Sequence, residues 1–262
     1  LDLKLKDNSL YELLEKVNLV YESKEFYGSS IVLGSAEMSL IDLAHLYTIY
    51  ANGGVYRPLE FAGKNYKNED KNITLISPQS AYLTAKMMSE ASRSYLKNAW
   101  QYAQNTPKIA FKTGTSANSR DLYAIGVDED YTIAGWVGNF NAETTDKLTG
   151  LNDVSKIVFD MFKITAQRQN LEFMSEPEGI EKVPTCLDAF SYETCKKTAL
   201  DDRIVGVKLQ DKCESLRGEE LEFLIKNGFL NKDEVKNSPC AEVFKDKKPV
   251  FAYPYNGEEI VT

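Results

Sequence analysis

Apolar residues recur along this chain with two periods, and the change of period organises it. Over 9–17 the run Ser-Leu-Tyr-Glu-Leu-Leu-Glu-Lys-Val reads as a short helix with Asn8 or Ser9 as its cap. A Gly/Ser-containing stretch follows, through Gly28 and Gly34. Leu40, Leu43, Ala44 and Tyr47 then keep helical spacing behind Ser39 and Asp42, which stand as a capping box with Asp in place of the usual Glu. Gly53-Gly54 offers the left-handed positions that end such a helix. Ser77-Pro78 opens another, with serine as cap and proline in the first turn, running to about Ala91.

The period then falls to that of strands. Residues 108–115, 122–127 and 131–137 are rich in β-branched and aromatic side chains, and Asp128-Glu129-Asp130 is a polar turn, so the last two runs predict a hairpin. Asp153 is expected to cap a closing amphipathic helix whose stripe is Val154, Ile157, Val158, Met161, Phe162 and Thr165. Glu176-Pro177-Glu178-Gly179 reads as a boundary. Beyond it the chain is polar and broken by Pro184, Pro239, Pro249 and Pro254, with one helix expected from Glu219 to Lys226 before Asn227-Gly228.

Composition narrows the function. With 262 residues, 43% hydrophobic and 27% charged, the chain can bury a core. A formal net charge of −8 argues against nucleic acid, which selects a basic footprint. No apolar run reaches the length of a membrane span, and no signal peptide is present. The chain starts at Leu1 and not at Met, which suggests a cut from a longer protein whose targeting segment lies upstream. Cys186, Cys195, Cys213 and Cys240 all fall in the last third. Two disulfides in an oxidising compartment fit that clustering; free thiols and a zinc site are the alternatives. Zinc is disfavoured because no Cys-x-x-Cys pair exists and the single histidine, His45, is far off.

The most chemical stretch is Phe111-Lys-Thr-Gly-Thr-Ser116. On a strand edge, an extended substrate can pair with the backbone as an added strand. Gly114 does not obstruct that approach. Thr113 and Thr115 offer hydroxyls to a carboxylate, Lys112 is a compact cation beside it, and an edge N–H can face a developing oxyanion. Taken alone the string is equally readable as an ordinary edge strand.

Its surroundings resemble those of the transpeptidase domain of class A penicillin-binding proteins. Gly34-Ser-Ala-Glu-Met-Ser-Leu-Ile-Asp-Leu-Ala44 with Tyr50-Ala-Asn-Gly-Gly54 is similar to a helix of that family. Ile76-Ser-Pro-Gln-Ser-Ala-Tyr-Leu83 resembles the helix before the family's third motif, Lys-Thr-Gly, which is also shared with serine β-lactamases. Asp121–Gly126, Tyr131–Asn139 and the helix at 154–166 follow in the family's order. The resemblance covers about 9–166. The tail, ending Tyr253-Pro-Tyr-Asn-Gly-Glu-Glu-Ile260, is similar to the joining segment of the family's 1C branch.

The resemblance implies an α/β (α+β) fold, a mostly antiparallel sheet with packed helices, incomplete on the N-terminal side. It implies residues 1–175 as the C-terminal part of the transpeptidase domain, 176–250 as a cysteine-bearing linker and 251–262 as the start of a further domain. It implies a serine acyl-transferase that cross-links peptidoglycan stem peptides and is acylated by β-lactams, periplasmic, with a membrane anchor and a glycosyltransferase upstream and cell-wall synthesis proteins as partners. It implies no cofactor and no metal. By position, Lys112, Thr113, Gly114, Thr115 and Ser116 would hold the substrate carboxylate, and the N–H of Thr115 would supply half of the oxyanion hole.

The chain departs from the family in one respect. The family's Ser-x-x-Lys nucleophile and Ser-x-Asn relay normally precede the segment seen here. Ser94-Tyr-Leu-Lys97 spells the first string only 18 positions before Lys112, in a polar stretch, and reads as coincidence. Ser116-Ala-Asn118 spells the second but overlaps the strand motif. His45 lies among Leu43, Ala44, Leu46 and Tyr47 and reads as structural, which removes a serine–histidine triad. The expectation is therefore a half-site without its nucleophile. The rivals are a non-catalytic sensor or binding module of the same fold, and a scaffold with a vestigial motif. With the N-terminal part missing, residues 1–30 are expected to expose apolar surface.

Overall fold

The computed structural model describes residues 9–65, 71–90, 108–145, 148–166, 173–186, 198–207, 225–226 and 233. Two compact units divide the chain, Leu1–Gly179 and Ile180–Thr262.

The first unit is built on a three-stranded antiparallel sheet of order β5-β6-β7. Its strands are β5 (Ala110–Thr115), β6 (Asp121–Val127) and β7 (Thr132–Gly138). Thr113 lies opposite Ala124, which in turn lies opposite Gly135; Gly114 lies opposite Tyr123, which lies opposite Trp136. The β6–β7 connection is the predicted hairpin. Asp128 Oδ1 accepts the N–H groups of Asp130 and Tyr131 at 2.9 and 2.6 Å, so the aspartate closes the turn with its own side chain.

Helices cover both faces. Helix α5 (Ser155–Ala166) packs Val158, Phe159 and Phe162, with Val154 just before it, against Phe111, Leu122 and Ala124. Burying each such large side chain stabilises the fold by about 1.5–3 kcal/mol. The opposite face meets α3 (Leu40–Ala51), which lies against β6 and β7, and α4 (Pro78–Glu90), which lies against β5. There Ala85, Ala110, Val127 and Met174 are buried, with Tyr47, Tyr50 and Ala51 packed around them. Burial pushes the phenols of Tyr47 and Tyr50 above the ordinary tyrosine value, because the apolar layer disfavours the charged phenolate.

A second cluster joins α1 (Leu10–Glu15), α2 (Lys24–Tyr27), a 3₁₀ turn over Gly28–Leu33, and the short strands β1 (Val55–Tyr56) and β4 (Ile73–Thr74). Leu14, Val17, Leu19, Tyr27, Ile31, Ile49 and Tyr56 form its core. His45 is part of this cluster, buried and doubly hydrogen-bonded: Nε2 lies 2.6 Å from the Arg57 carbonyl and Nδ1 lies 2.8 Å from the Tyr56 hydroxyl. A carbonyl only accepts, so Nε2 carries the proton and Tyr56 donates to Nδ1. A small hairpin, β2 (Glu60–Phe61) with β3 (Lys64–Asn65), completes the unit.

Several sequence expectations are corrected. The first helix stops at Glu15, and Ser9, although its backbone is extended as a cap's must be, makes no side-chain cap bond. The Gly/Ser stretch holds α2, capped by Ser23 accepting from Phe26 N–H, and the 3₁₀ turn. Asp153 does not cap the closing helix. Thr149 caps a π-helical turn over Gly150–Val154 by accepting from Asn152 N–H, and the Asp153 carboxylate reaches back to accept from Thr149 N–H at 2.8 Å. The buried stripe of α5 is accordingly Val154, Val158, Phe159 and Phe162, while Ile157, Met161 and Ile164 are exposed. Among the described residues of 9–30, Leu14, Val17, Leu19 and Tyr27 are buried while Tyr21 and Phe26 are exposed; residues 1–8, the rest of the stretch expected to expose apolar surface, lie outside the described residues. Ser39 caps α3 as expected, with Asp42 N–H donating to Ser39 Oγ at 3.2 Å, while the Asp42 side chain answers the Ser39 hydroxyl, which donates to Oδ2 at 2.7 Å.

The second unit contains the antiparallel hairpin β8 (Ile180–Cys186) with β9 (Thr198–Ile204). Cross-strand ion pairs Lys182–Asp202 and Arg203–Glu181 line it. Such partly exposed pairs set register more than they stabilise. Cys195, Cys213 and Cys240 lie outside the described residues, as does the side chain of Cys186, so the cysteine readings do too. Most of the helix expected over 219–226 also lies outside them. No helix of the described residues is long and apolar enough to cross a membrane.

Candidate functional site

The Lys-Thr-Gly string with Thr115 forms the last four of the six residues of β5, and β5 is an outer strand of its sheet. Among the described residues no strand pairs with its other side. Ser116 N–H donates to the Asp121 carbonyl at 2.9 Å. In an antiparallel pair the bonded positions alternate, so 112, 114 and 116 turn their backbone groups to β6 and 111, 113 and 115 turn theirs outward. The amide groups of Thr113 and Thr115 thus face the edge along which no described strand pairs.

Side chains arrange around that edge. Lys112 is exposed, and its Nζ donates to the Thr113 carbonyl at 2.6 Å, which holds the cation along the edge. Thr113 is half-buried and Thr115 exposed. Gly114 has room for a side chain: a Cβ there would meet Tyr123 Cβ at 3.7 Å and Cδ2 at 3.9 Å, ordinary contacts. Its φ is not left-handed, so among the described residues neither conformation nor packing requires glycine there. Tyr123, opposite Gly114, has its phenol pushed up by burial and by the neighbouring Asp121 carboxylate.

Ser116 is placed differently from the other four. Its hydroxyl turns back, accepting Asp121 N–H at 2.8 Å and donating to Asp121 Oδ2 at 3.1 Å. Asp121 Oδ1 in turn accepts Trp136 Nε1–H at 3.0 Å. Asn118 lies inside the turn that follows, in the left-handed region at φ 59°. The Ser116-Ala-Asn118 string is therefore part of the β5–β6 connection. Ser94 and Lys97 fall outside the described residues. His45 is committed to Tyr56 and Arg57 in the other cluster.

Two contributors were not anticipated. Gly150 N–H reaches Thr115 Oγ1 at 3.5 Å from the start of the π-helical turn, and a Cβ on Gly150 would lie 2.6 Å from the Gly114 carbonyl and 2.7 Å from that of Tyr123. Glycine is needed there for close approach, and a lone Gly 35 positions from Thr115 carries no local signal. Thr145 is buried and donates both N–H and Oγ1–H to the Ser119 carbonyl, at 3.0 and 2.5 Å. Among the described residues no group of three His, Cys, Asp or Glu side chains is placed to hold a metal.

The edge can therefore present a cation, two threonine side chains and outward amide groups to an extended anionic ligand. A family profile described as penicillin binding protein transpeptidase domain matches residues 6–151. Penicillin-binding protein 1A of Clostridium acetobutylicum is 27% identical over 54% of this chain and 18% of that protein. Penicillin-binding protein 1C of Escherichia coli is 32% identical over 42% of this chain and 13% of that protein. The crystal structure of penicillin-binding protein 1A from Haemophilus influenzae superposes with a TM-score of 0.52 at 17% identity, over 74% of this chain and 35% of that one, which establishes a shared fold. The chain spans under a fifth of the length of the first of these relatives. A profile match over more than half the chain, ordered around the Lys-Thr-Gly strand, shows that the chain belongs to the penicillin-binding protein transpeptidase domain family.

Proposed function

We propose that this chain carries the carboxylate-gripping wall of a D,D-transpeptidase site, within a longer periplasmic cell-wall enzyme anchored in the cytoplasmic membrane. The observation that carries the reading is the open edge of β5, where Thr113 and Thr115 turn their amide groups outward beside Lys112. Lys112 supplies the charge for the terminal carboxylate of a stem peptide, or for the acid group of a β-lactam. Thr113 and Thr115 hydroxyls bind its oxygens, Gly114 leaves the face open, and Ser116 ends the wall.

The chemistry then follows the charge. A serine contributed by sequence outside this chain attacks the carbonyl of the penultimate D-alanine. The carbonyl oxygen becomes an oxyanion, and Thr115 N–H donates to it. Losing one such donor costs on the order of 100- to 1,000-fold in rate. The amide C–N bond breaks, the terminal D-alanine leaves as its amine, and an acyl-enzyme remains. The amine of a neighbouring stem peptide attacks that ester, forming the cross-link and freeing the serine. A β-lactam opens its ring amide on the same serine.

The test uses a fluorescent penicillin. The isolated chain should show no covalent labelling; labelling at Ser94 would overturn the half-site reading. In the uninterrupted gene product, labelling should be rapid and Lys112→Ala should slow it by at least about tenfold, as expected for loss of a charged contact. Unchanged labelling and cross-linking in Lys112→Ala would favour a scaffold. Reversible binding without acylation would favour a sensor.

A further inference from the structure

The turn that follows the Lys-Thr-Gly strand is held by more bonds than a reversal of direction needs. Asn118 and Ser119 are consecutive non-glycine residues in the left-handed region, at φ 59° and 52°. Side chains are disfavoured there, so such a pair persists only where neighbours over-determine it. The neighbours are visible. Ser119 N–H donates to the Ser116 carbonyl at 3.0 Å, and Thr145 donates twice to the Ser119 carbonyl.

Asp121 sits at the centre of this turn. Its N–H and its Oδ2 both bond the Ser116 hydroxyl, its carbonyl accepts Ser116 N–H, and its Oδ1 accepts Trp136 Nε1–H. Trp136 is itself fixed. Its ring lies over Gly138, where a Cβ would fall 2.5 Å from Cζ2 and 2.7 Å from the Arg120 carbonyl. A carboxylate near a wall that grips carboxylates is electrostatically unfavourable by itself. Here each of its oxygens is taken up by an internal donor, so its use is inward, on Ser116, and not on a ligand.

We propose that Asp121 is a positioning residue of the transpeptidase site. Braced by Trp136, it locks Ser116 and so holds the adjoining Thr115 with its N–H aimed out of the β5 edge. This rests on the reading of Thr115 as an oxyanion donor. The role predicts an effect on the acylation step and not on ligand capture, because Lys112 and the hydroxyls of Thr113 and Thr115 are outside the lock.

The experiment is stopped-flow acylation of the uninterrupted gene product by a fluorescent penicillin, resolving the acylation rate from the dissociation constant of the preceding complex, with a thermal melt of each variant. Asp121→Ala should lower the acylation rate about 10- to 100-fold, the scale of a small misplacement, with the dissociation constant changed less than about threefold. Asp121→Asn keeps one carbonyl acceptor and should recover an intermediate rate. Trp136→Phe keeps the ring, removes only the Nε1–H donor, and should lower the rate in the same direction; it decides the matter should Asp121→Ala not fold. A folded Asp121→Ala, or failing that Trp136→Phe, with an acylation rate within about twofold of wild type overturns the role. Lys112→Ala measured in parallel separates the two readings. If it loses acylation while the Asp121 variants do not, only the positioning role fails; if it too is unchanged, the site assignment itself fails.

Discussion

Gly114 and Gly150 should respond oppositely to alanine, although they lie against one another. At 150 the added Cβ would fall 2.6 and 2.7 Å from the carbonyl oxygens of Gly114 and Tyr123. Both belong to paired strands, so neither can retreat without opening the β5–β6 ladder. Overpacking of this kind costs about 1–3 kcal/mol. The backbone at 150 is not left-handed, so alanine also restricts the unfolded chain and returns about 0.4–1 kcal/mol. The net expectation is a loss centred on about 1.3 kcal/mol and reaching about 2.6 kcal/mol. At 114 the nearest atoms are 3.7 and 3.9 Å away and φ is likewise ordinary. Only the entropic gain applies, so Gly114→Ala should be neutral or more stable by up to about 1 kcal/mol. Its methyl would stand on the face shared with Lys112, where the substrate is proposed to approach. Urea denaturation of the chain, followed by tryptophan fluorescence, reads the first pair of effects as shifts of midpoint at constant slope. Acylation of the uninterrupted gene product reads the second, with Gly114→Ala slowed at least about tenfold despite its stability. The reasoning is refuted by a Gly150→Ala chain as stable as wild type. A Gly114→Ala chain destabilised by more than about 1 kcal/mol would refute it equally, because the strand's own packing would then demand glycine.

Other expectations are narrower. Burial raises the Asp128 carboxyl above its ordinary value, outweighing the two backbone donors it accepts. The folded state then binds more protons than the unfolded one between the two values, so this group's contribution is full below the ordinary aspartate pKa and is lost as pH rises through the raised one. Asp128→Asn keeps the Oδ1 acceptor for the turn and should flatten that part of the stability–pH curve; an unchanged acid-side slope in urea melts would exclude the effect. Tyr56→Phe removes the donor to His45 Nδ1 inside the core and should cost about 1–3 kcal/mol, with Nδ1 left unsatisfied. A denaturation midpoint equal to wild type would show that the pair contributes nothing. Phe162→Ala should cost about 3–5 kcal/mol, since its ring fills the space beside Gly126 between β6 and α5, and adding Gly126→Ala should give back part of that loss.

Much of the fold was legible because the responsible signals are local. Ser39, Ser77 and Gly53-Gly54 punctuate helices through bonds and dihedrals within a few residues, and the β-branched and aromatic residues of 122–127 and 131–137 mark strands by their type alone. Misreadings arose where one local signal met a longer device. Asp153 is a good cap by type, but Thr149 stands four residues earlier and takes the role, and Asp153 answers it as the reciprocal acceptor. On the helix that follows, Phe159 is buried, while Ile157 and Met161 of the expected stripe are exposed. Helical spacing marks an apolar stripe; it does not say which edge of a broad stripe meets the sheet.

The candidate site divides along the same line. The order of residues alone placed a cation, two hydroxyls and a missing side chain consecutively on one strand, Lys112 to Thr115, and it is from that order that their proposed role toward an anion is read. Tertiary structure decided which way they face: the bond from Ser116 to Asp121 sets the alternation that turns Thr113 and Thr115 to the open edge. It also brought in Gly150, Thr145 and Trp136, whose distances along the chain collapse only when α5 and β7 pack. Consecutive residues share chemistry through covalent geometry, whereas direction and close approach depend on partners that a one-dimensional pattern does not contain.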